Sequence, residues 1–249
     1  MDSTLNKKPL DKWTGQERIG AVRKIFSEIT PHYDRMNHIM SARRDIFWRS
    51  FMVGRMDGTA LRVLDLATGT GDVAINTAKQ LPDARIFGID FVREMLDTAV
   101  QKTERYNLKT QINYTLADAM HLPFPDKAFD VATIAFGMRN IPDRLGALKE
   151  MKRVVKPGGK VMVLEMTFPR NLGMRSFFNW YLNKFIPLLG NIIARNVEAY
   201  KYLPASIQDF IHPDILTSMF RETGFTQVKA FPLTLGITYL HEGVIPGRP

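Results

Sequence analysis

A glycine-rich turn between a buried strand and a helix constrains the fold of this chain most. Residues 61–66, with the sequence LRVLDL, form a short apolar run that predicts a buried strand. The turn ATGTGD over 67–72 follows, and then a helical pattern over about 73–81. Because glycine has no Cβ, such a turn lets a ligand approach the backbone. The order of strand, glycine turn and helix indicates an α/β protein with a ligand site near Gly69 and Gly71.

Strands and helices continue to alternate along the middle of the chain. Strands are predicted over 61–66, 84–89, 111–116, 129–135 and 160–166, with helices over 73–81, 91–106 and 142–155 between them. This alternation is typical of βαβ units and a parallel sheet. A helix over 213–223 and two strands over 225–231 and 235–241 follow, the strands expected to be antiparallel. The predicted fold is an α/β three-layer sandwich around a mainly parallel, seven-stranded sheet with an antiparallel last strand.

The periodicity of apolar residues divides one predicted domain, residues 1–249, into four parts. Before residue 61 apolar side chains recur at spacings of three and four, and after Phe168 the pattern is again helical and rich in aromatics. The parts are an N-terminal helical cap over 1–60, a cofactor-binding core over 61–168, a helical insertion or lid over 169–212, and a last helix and strands over 213–249.

The composition excludes several classes of site. There is no cysteine, so disulfides, cysteine-ligated zinc and a cysteine nucleophile are ruled out. None of the five histidines lies in an H-E-x-x-H motif, and we expect no metal site. The first residues contain no apolar run, and the most apolar later stretch, 177–194, is interrupted by polar residues, glycine and proline. We therefore expect a cytoplasmic protein without a spanning helix.

The formal net charge of +9 is concentrated outside the middle of the chain. Residues 63–168 are nearly balanced, whereas both flanking parts are basic. A basic surface can attract nucleic acid or an anionic membrane, and it can also serve solubility alone. The charge by itself does not choose among these interpretations.

Acidic residues stand at the ends of three successive predicted strands. Asp65 lies at the end of the first, Asp90 at the end of the second, and Asp118 follows the third. Because the carboxyl ends of parallel strands meet at one sheet edge, we expect these acids to face one ligand. A carboxylate at Asp90 can accept hydrogen bonds from ribose hydroxyls, so the ligand is expected to be a nucleoside.

Two nucleoside cofactors compete for this site. The spacing Gly69-x-Gly71-x-x-Ala74 fits a dinucleotide fingerprint, but that match is weak alone. Asp65 disfavours a pyrophosphate and tolerates a cationic methionine moiety, and Asp118 offers an acceptor to an adenine amino group. No tyrosine has a lysine four residues later, so the Tyr-x-x-x-Lys pair of short-chain dehydrogenases is absent. These features favour S-adenosylmethionine.

From Phe26 to Gly243 the chain resembles the ubiquinone/menaquinone-biosynthesis C-methyltransferases, which are class I S-adenosylmethionine enzymes with a Rossmann-like fold. The glycine turn and Lys-Pro-Gly-Gly at 156–159 are shared with many methyltransferases, whereas the pieces at 33–37 and 136–140 are more specific. The matching stretches are YDRMN at 33–37, LDLATGTGD at 64–72, LPFPD at 122–126 with FD at 129–130, FGMRN at 136–140, KPGG at 156–159, YL at 202–203, SI at 206–207 and HEG at 241–243.

The resemblance implies contacts to S-adenosylmethionine from Thr70, Asp90, and Asp118 with Ala119. The reasoning from the residues adds Gly69, Gly71 and Asp65 to the candidate cofactor site. The chain departs from the family pattern at Thr68, where relatives often have glycine, and at Ala135, where some have a serine.

The reaction implied by the resemblance transfers a methyl group to a ring carbon of a polyprenylated quinol. The ring is most nucleophilic as a phenolate, so the enzyme has to favour the anion by a base or by a nearby cation. Arg139 is the candidate cation, because an arginine does not act as a neutral base. Tyr33 and His241 are the candidate bases. Asn140 could hold a substrate oxygen or cap the following helix.

Demethylmenaquinol is the favoured substrate, with a methoxy-polyprenyl-benzoquinol, or both, as the alternative. Such a substrate implies access to a membrane. The N-terminal helices and the 174–194 segment, with Arg170, Arg175, Lys184 and Arg195 nearby, have the composition of an interfacial helix, a lid or a homodimer contact.

Two remoter functions remain. No nucleic-acid partner is expected, because residues 135–140 lack the Asn/Asp-Pro-Pro-Tyr/Phe motif of amino-methylating enzymes. An RNA methyltransferase is thus a remote alternative, and a non-catalytic protein that binds a lipid quinone is the other.

Overall fold

A single mixed sheet of seven strands forms the centre of the molecule. The computed structural model describes residues 15–58, 61–169, 171–186 and 197–247. The strands are β1 (Arg62–Leu66), β2 (Arg85–Asp90), β3 (Ile112–Leu116), β4 (Phe129–Ala135), β5 (Val155–Met166), β6 (Thr226–Leu233) and β7 (Thr238–Val244). Their spatial order is β3-β2-β1-β4-β5-β7-β6.

The pairing of the strands confirms the predicted sheet. Strands β1 to β5 pair in parallel, and β7 inserts between β5 and β6 and is antiparallel to both. Only the last strand along the chain therefore runs against the others within the described residues. The bounds of the last two strands differ from the prediction because Thr234–Gly236 form a tight turn. All three residues have positive φ, which ends β6 and delays β7 to Thr238.

The helices lie before, between and after these strands. In the described chain they are α1 (Gly15–Ile29), α2 (Tyr33–Met40), α3 (Arg44–Val53), α4 (Asp72–Gln80), α5 (Arg93–Arg105), α6 (Arg144–Val154), α7 (Leu172–Trp180), α8 (Val197–Gln208) and α9 (Pro213–Glu222). A wide π-type turn over Tyr181–Phe185 continues α7. The predicted helical character of the N-terminal part and of the insertion is confirmed for the described residues. None of these helices is both long and apolar enough to cross a membrane.

Alternating side chains of the strands build a core on each face of the sheet. In β1, Val63 packs with α3 and α4 on one face, whereas Leu64 and Leu66 pack with α6 and α9 on the other. A third cluster joins the N-terminal helices to the insertion. It consists of Met36, Phe178, Leu182, Ile186 and Ile207, all nearly inaccessible to solvent. This third cluster holds the insertion over the carboxyl edge of the sheet.

Hydrogen bonds tie α1 to the segment that follows β4. The guanidinium of Arg18 donates through Nη2 to the carbonyl oxygen of Arg139, at 2.9 Å, and to Asp209, at 3.1 Å. Arg18 is itself buried. The N-terminal cap is therefore bonded directly to the residues that follow the central strands.

Candidate active site

A cavity of about 290 Å³ lies at the carboxyl ends of β1, β2 and β4 and is covered by α1. Apolar side chains such as Val22, Phe26 and Met95 form most of its walls. Six of the predicted site residues line it: Tyr33, Gly69, Asp90, Asp118, Ala119 and Asn140. The structure therefore brings most of the predicted cofactor residues together at one sheet edge.

The glycine turn has the backbone conformation for which glycine is suited. Gly69 and Gly71 have φ values of 55° and 82°, in the left-handed region. A Cβ on Gly71 would collide with the hydroxyl of Tyr114, so this position tolerates no side chain. Gly71 also precedes the first residue of α4, whose N-terminal N–H groups favour polar or anionic ligand groups.

Asp90 is a buried carboxylate in the wall of the cavity. Its Oδ2 accepts from the Gly69 N–H at 2.8 Å, and its Oδ1 accepts from the Val92 N–H at 2.9 Å. A carboxylate has about four acceptor positions, so acceptor capacity remains for a ribose hydroxyl. Burial raises the pKa of Asp90, against these backbone hydrogen bonds. The side chain links β2 to the glycine turn and can hold a ribose between them.

Asp65 supports the glycine turn from inside the protein. Its carboxylate accepts from the hydroxyls of Thr68, at 2.6 Å, and Thr133, at 2.8 Å. Burial raises the pKa of Asp65 to about 7, although both hydrogen bonds act in the opposite direction. Thr68, which departs from the family pattern, thus has a definite hydrogen-bonding role in this chain.

Asp118 and Ala119 lie at the far end of the cavity from the glycine turn. The Asp118 side chain is half exposed, and its Oδ1 accepts from the Met120 N–H at 2.9 Å. Its Oδ2 lies 3.5 Å from His121 Nδ1 and can also accept a hydrogen bond from an amino group on a planar base. The base would lie against the apolar walls of the cavity, and the residues present therefore fit an adenosine group.

Thr70 is bonded to the N-terminal cap. Its hydroxyl donates to Asp34 on α2, and the ammonium of Lys102 on α5 lies 2.6 Å from Asp34 and 2.5 Å from Asp72. Thr70 lines a smaller cavity beside the main one, together with Asp65. The sequence analysis missed Asp34, Asp72 and Lys102, because nothing in their spacing indicates that three helices meet at this turn.

A second set of small cavities, of about 40 and 60 Å³, adjoins the main one on the side of α2 and the insertion. Both are lined by Tyr33 and Arg139, with Met40 and Leu203 among the apolar residues around them. Tyr33 also lines the main cavity and therefore stands between the two spaces. Burial raises the pKa of the Tyr33 hydroxyl, against the attraction of Arg49 and Arg139, so this phenol is neutral at pH 7.

Arg139 is a buried cation held by Glu165 at the end of β5. Its Nη1 bonds to one carboxylate oxygen of Glu165, and its backbone N–H donates to the other at 3.1 Å. Its Nε is buried with no hydrogen-bond partner among the described residues. The sequence signal for Glu165 is an acid within the apolar strand VMVLEM, because a buried acid needs a partner.

Asn140 does not cap the following helix. Asp143 is the residue that caps α6, through a hydrogen bond from the Gly146 N–H. The Oδ1 of Asn140 instead accepts from the hydroxyl of Tyr202 on α8, at 2.8 Å. The helix-capping alternative for Asn140 is therefore wrong.

His241 does not reach these cavities. It lies in β7, stacks on Phe220, and its Nε2 donates to the carbonyl oxygen of Pro213 at 2.9 Å. Burial lowers its pKa to about 4. The prediction of His241 as a base is wrong, because its side chain points into the core on the α9 face of the sheet.

The sheet order, the glycine turn and the adenosine-sized cavity with its acidic end points define a class I S-adenosylmethionine-dependent methyltransferase. The model of the ubiE/COQ5 methyltransferase family matches residues 13–245. The chain therefore belongs to the ubiE/COQ5 methyltransferase family. Because members of this family are methyltransferases, the cofactor is S-adenosylmethionine and not a dinucleotide.

Individual relatives agree with this assignment. A protein named demethylmenaquinone methyltransferase from Geobacillus kaustophilus (strain HTA426) is 40% identical over 230 residues, covering 92% of this chain and 98% of the relative. A protein from Geobacter sp. (strain M21), named ubiquinone/menaquinone biosynthesis C-methyltransferase UbiE, is 39% identical over 224 residues, covering 89% and 95%. The crystal structure of a SAM-dependent methyltransferase from Aquifex aeolicus superimposes with a TM-score of 0.61 at 17% identity, covering 85% of this chain and 97% of that one.

Proposed function

We propose that this enzyme methylates a ring carbon of a polyprenylated quinol, with demethylmenaquinol as its substrate. The observation that carries the proposal is a buried arginine in an apolar cavity beside the cofactor cavity. Arg139 is only 5% exposed, and the surrounding side chains are chiefly apolar or aromatic. A cation in such surroundings suits a flat apolar ring that becomes an anion during the reaction. The names of the two relatives support the same substrate class.

The guanidinium of Arg139 stabilises the phenolate of the quinol. A free quinol hydroxyl has a pKa near that of tyrosine, about 10, so little anion exists at pH 7 without help. Glu165 pairs with Nη1, but the Nε–H of Arg139 has no partner among the described residues and can donate to the phenolate oxygen. In a cavity of low dielectric, water does not screen that interaction. Glu165 orients Arg139, and the hydroxyl proton passes to bulk solvent. When bound, S-adenosylmethionine would supply the methyl group, its S–CH3 bond breaking as the bond to the ring carbon forms. The ring proton then passes to solvent and the aromatic quinol is restored.

Tyr33 and Asn140 complete the proposed substrate site. The neutral hydroxyl of Tyr33 is a hydrogen-bond donor rather than a base, since its pKa is raised. The amide of Asn140, held by Tyr202, faces the cofactor cavity and can hold a substrate oxygen. On the cofactor side we assign Gly69, Gly71, Thr70, Asp90, Asp118 and Ala119 to binding, and Asp65 to support of the turn.

We further propose that the protein is cytoplasmic and docks peripherally at the inner face of the membrane. The outer side of α7 carries exposed apolar side chains, including Leu172, Phe177 and Trp180, which are 78%, 56% and 55% exposed. Exposed Lys184 and Arg175 flank them and complement an anionic surface. Of the basic residues predicted for this region, Arg170 and Arg195 lie outside the described residues, as do residues 187–196. A homodimer contact on the same face is the competing arrangement.

The substrate is tested by transfer of labelled methyl from S-adenosylmethionine to two reduced short-chain quinols, one a naphthoquinol and one a methoxy-benzoquinol. We expect label in the naphthoquinol. Label in both would mean an enzyme of both reactions, and label in the benzoquinol alone would overturn the choice of substrate. If neither is labelled while the cofactor still binds, the quinol proposal fails and RNA becomes the next substrate to assay.

A further inference from the structure

A small polar space of about 20 Å³ adjoins the cofactor cavity at the glycine turn. Tyr33, Ala67 and Gly69 line both spaces, so the two spaces are adjacent at the glycine turn. When the ribose is at Asp90 and the base at Asp118, the amino-acid part of the cofactor extends in the opposite direction, past Gly69. The small space therefore receives the end of the ligand that carries an ammonium and a carboxylate.

Arg49 on α3 provides the positive charge in the wall of this space. Its side chain is only 8% exposed, and its Nη1 lies 2.5 Å from Asp45 and 3.5 Å from Asp72. Its guanidinium also lies over the ring of Phe136, 5.4 Å from the centroid. Nη2 and Nε donate to none of the described residues, so two donor groups of a buried guanidinium remain available beside the glycine turn.

The other nearby cations are committed elsewhere. Lys102 bonds to Asp34 and Asp72 and does not line the small space. Arg139 bonds to Glu165 and faces the apolar cavities. Arg49 is the cation among the described residues that line the small space, and Asp65 and Asp72 are its acids. The carboxylate of the ligand therefore belongs at Arg49 and its ammonium at the aspartates.

We propose that Arg49 binds the α-carboxylate of the methionine moiety of S-adenosylmethionine. A carboxylate that leaves water loses its hydration and needs a charged hydrogen-bond donor in return. A guanidinium offers two parallel N–H groups, which match the two oxygens of a carboxylate.

The neighbouring carboxylates prepare Arg49 for this role. Burial alone would lower the pKa of its guanidinium, but Asp72 and Asp45 outweigh that effect, and the group remains charged. Arg49 donates a hydrogen bond to Asp45, one turn earlier in α3, and this bond fixes the side chain before the ligand arrives. The Arg49 side chain therefore loses its conformational freedom when the protein folds, and that entropy is not lost again when the ligand binds.

The test compares two ligands that differ by the amino-acid end. Titration calorimetry measures the affinity of wild type and of Arg49→Met for S-adenosylmethionine and for methylthioadenosine, which lacks the carboxylate. We expect Arg49→Met to weaken binding of S-adenosylmethionine by between about tenfold and a hundredfold, the loss typical of a hydrogen bond between charged groups. Binding of methylthioadenosine should stay within about twofold of wild type. Arg44→Met, an exposed arginine on the same helix, should change neither affinity.

Equal losses for both ligands would show that Arg49 only supports the turn and would overturn the proposal. Unchanged affinity for both would overturn it as well. If Arg49→Met does not fold by circular dichroism, Arg49→Lys serves instead, and it should weaken S-adenosylmethionine binding selectively but less. The titration contains no quinol, so its outcome is independent of the proposed substrate.

Discussion

Asp65 shows how one residue links the stability of the protein to its cofactor loop. Its two carboxylate oxygens accept from two hydroxyls, and one of these belongs to Thr68 in the glycine turn. Asp65 is 1% exposed, and this burial raises the pKa of its carboxyl group. The glycine turn, whose backbone contacts the ligand, is thereby fixed to β1 through Thr68, the residue before Gly69.

The pKa of Asp65 predicts a specific pH dependence of stability. The folded-state pKa is raised from the ordinary value of 3.8 to about 7. The folded state therefore holds this proton more tightly than the unfolded state, and the resulting stability is complete below pH 4 and is lost as the pH rises through about 7.

Asp65→Asn removes the titration and keeps an acceptor for one hydroxyl. We expect the melting temperature of the variant, relative to wild type, to increase from pH 5 to pH 8 and to level off above that range. The measurement is thermal unfolding by differential scanning fluorimetry across these pH values. A difference between the two proteins that does not change with pH would contradict the assignment.

A match to a family motif does not show where the side chains of that motif point. The pattern HEG at 241–243 matched the family, and His241 was a reasonable base candidate. In the sheet its side chain lies on the α9 face, bonded to Pro213. Glu165 was missed because its partner Arg139 lies far away in the sequence. Arg49 was missed because its spacing from Asp45 reports an ordinary helical ion pair and not its position beside the glycine turn.

At the scale of elements, the N-terminal cap is held to the cofactor loop by charge. Lys102 joins Asp34 of the cap to Asp72 of α4, and Arg49 joins Asp45 to the same aspartate. These groups lie between elements that all border the glycine turn. The cap is therefore part of the cofactor site and not a separate addition to it.

Helix α7 has one packed face and one exposed aromatic face. Phe178 packs into the cluster with Met36, whereas the rings of Phe177 and Trp180 lie 6.1 Å apart on the outside. The ring of Phe185 extends this exposed row, 6.5 Å from Trp180. An exposed apolar surface of this kind marks an interaction site.

Replacing these aromatics tests the membrane proposal. The double variant Phe177→Ser/Trp180→Ser should bind vesicles of phosphatidylglycerol and phosphatidylcholine several-fold more weakly in a sedimentation assay, because it removes apolar area from the interface. Turnover of a long-tailed quinol in those vesicles should fall, and turnover of a short soluble quinol should not. Ile215→Ser, which removes a similarly exposed side chain on α9, is the matched control.

Unchanged vesicle binding by the double variant would contradict membrane docking. If sedimentation equilibrium shows instead that wild type is a dimer and the variant a monomer, the face is covered by a second copy of this chain.

At the scale of the whole molecule, the sequence predicted the order and number of strands well, and the ends of individual strands less well. Strand β4 has the bounds predicted for it, β1 and β3 begin one residue later than predicted, and β2 is shifted by one residue at both ends. These strands are buried apolar runs bounded by turns, so their pattern is unambiguous. The turn at Thr234–Gly236 was missed because Thr and Leu rarely adopt positive φ.

The cofactor half of the site was more predictable than the substrate half. Parallel strands place their carboxyl ends together whatever the loops contain, so Asp90 and Asp118 could be assigned from spacing. The apolar cavities depend on how α2, the turn after β4 and the insertion pack, and only the resemblance pointed to Tyr33 and Arg139.

The most direct test of the central claim is the effect of Arg139→Ala on turnover and on cofactor affinity measured together. Loss of the cation should lower kcat with the quinol by about a hundredfold to a thousandfold, as for removal of a single anion-stabilising donor. Calorimetry should show S-adenosylmethionine affinity within about twofold of wild type. The remaining rate should also rise with pH toward the pKa of the free quinol, since bulk hydroxide then has to ionise the substrate. The double variant Arg139→Ala/Glu165→Gln also removes the carboxylate that Arg139→Ala leaves buried and unpaired. It serves as the control for misfolding caused by that unpaired charge. Normal turnover by the variant, or a parallel loss of turnover and cofactor affinity, would contradict a role for Arg139 in stabilising the quinol anion.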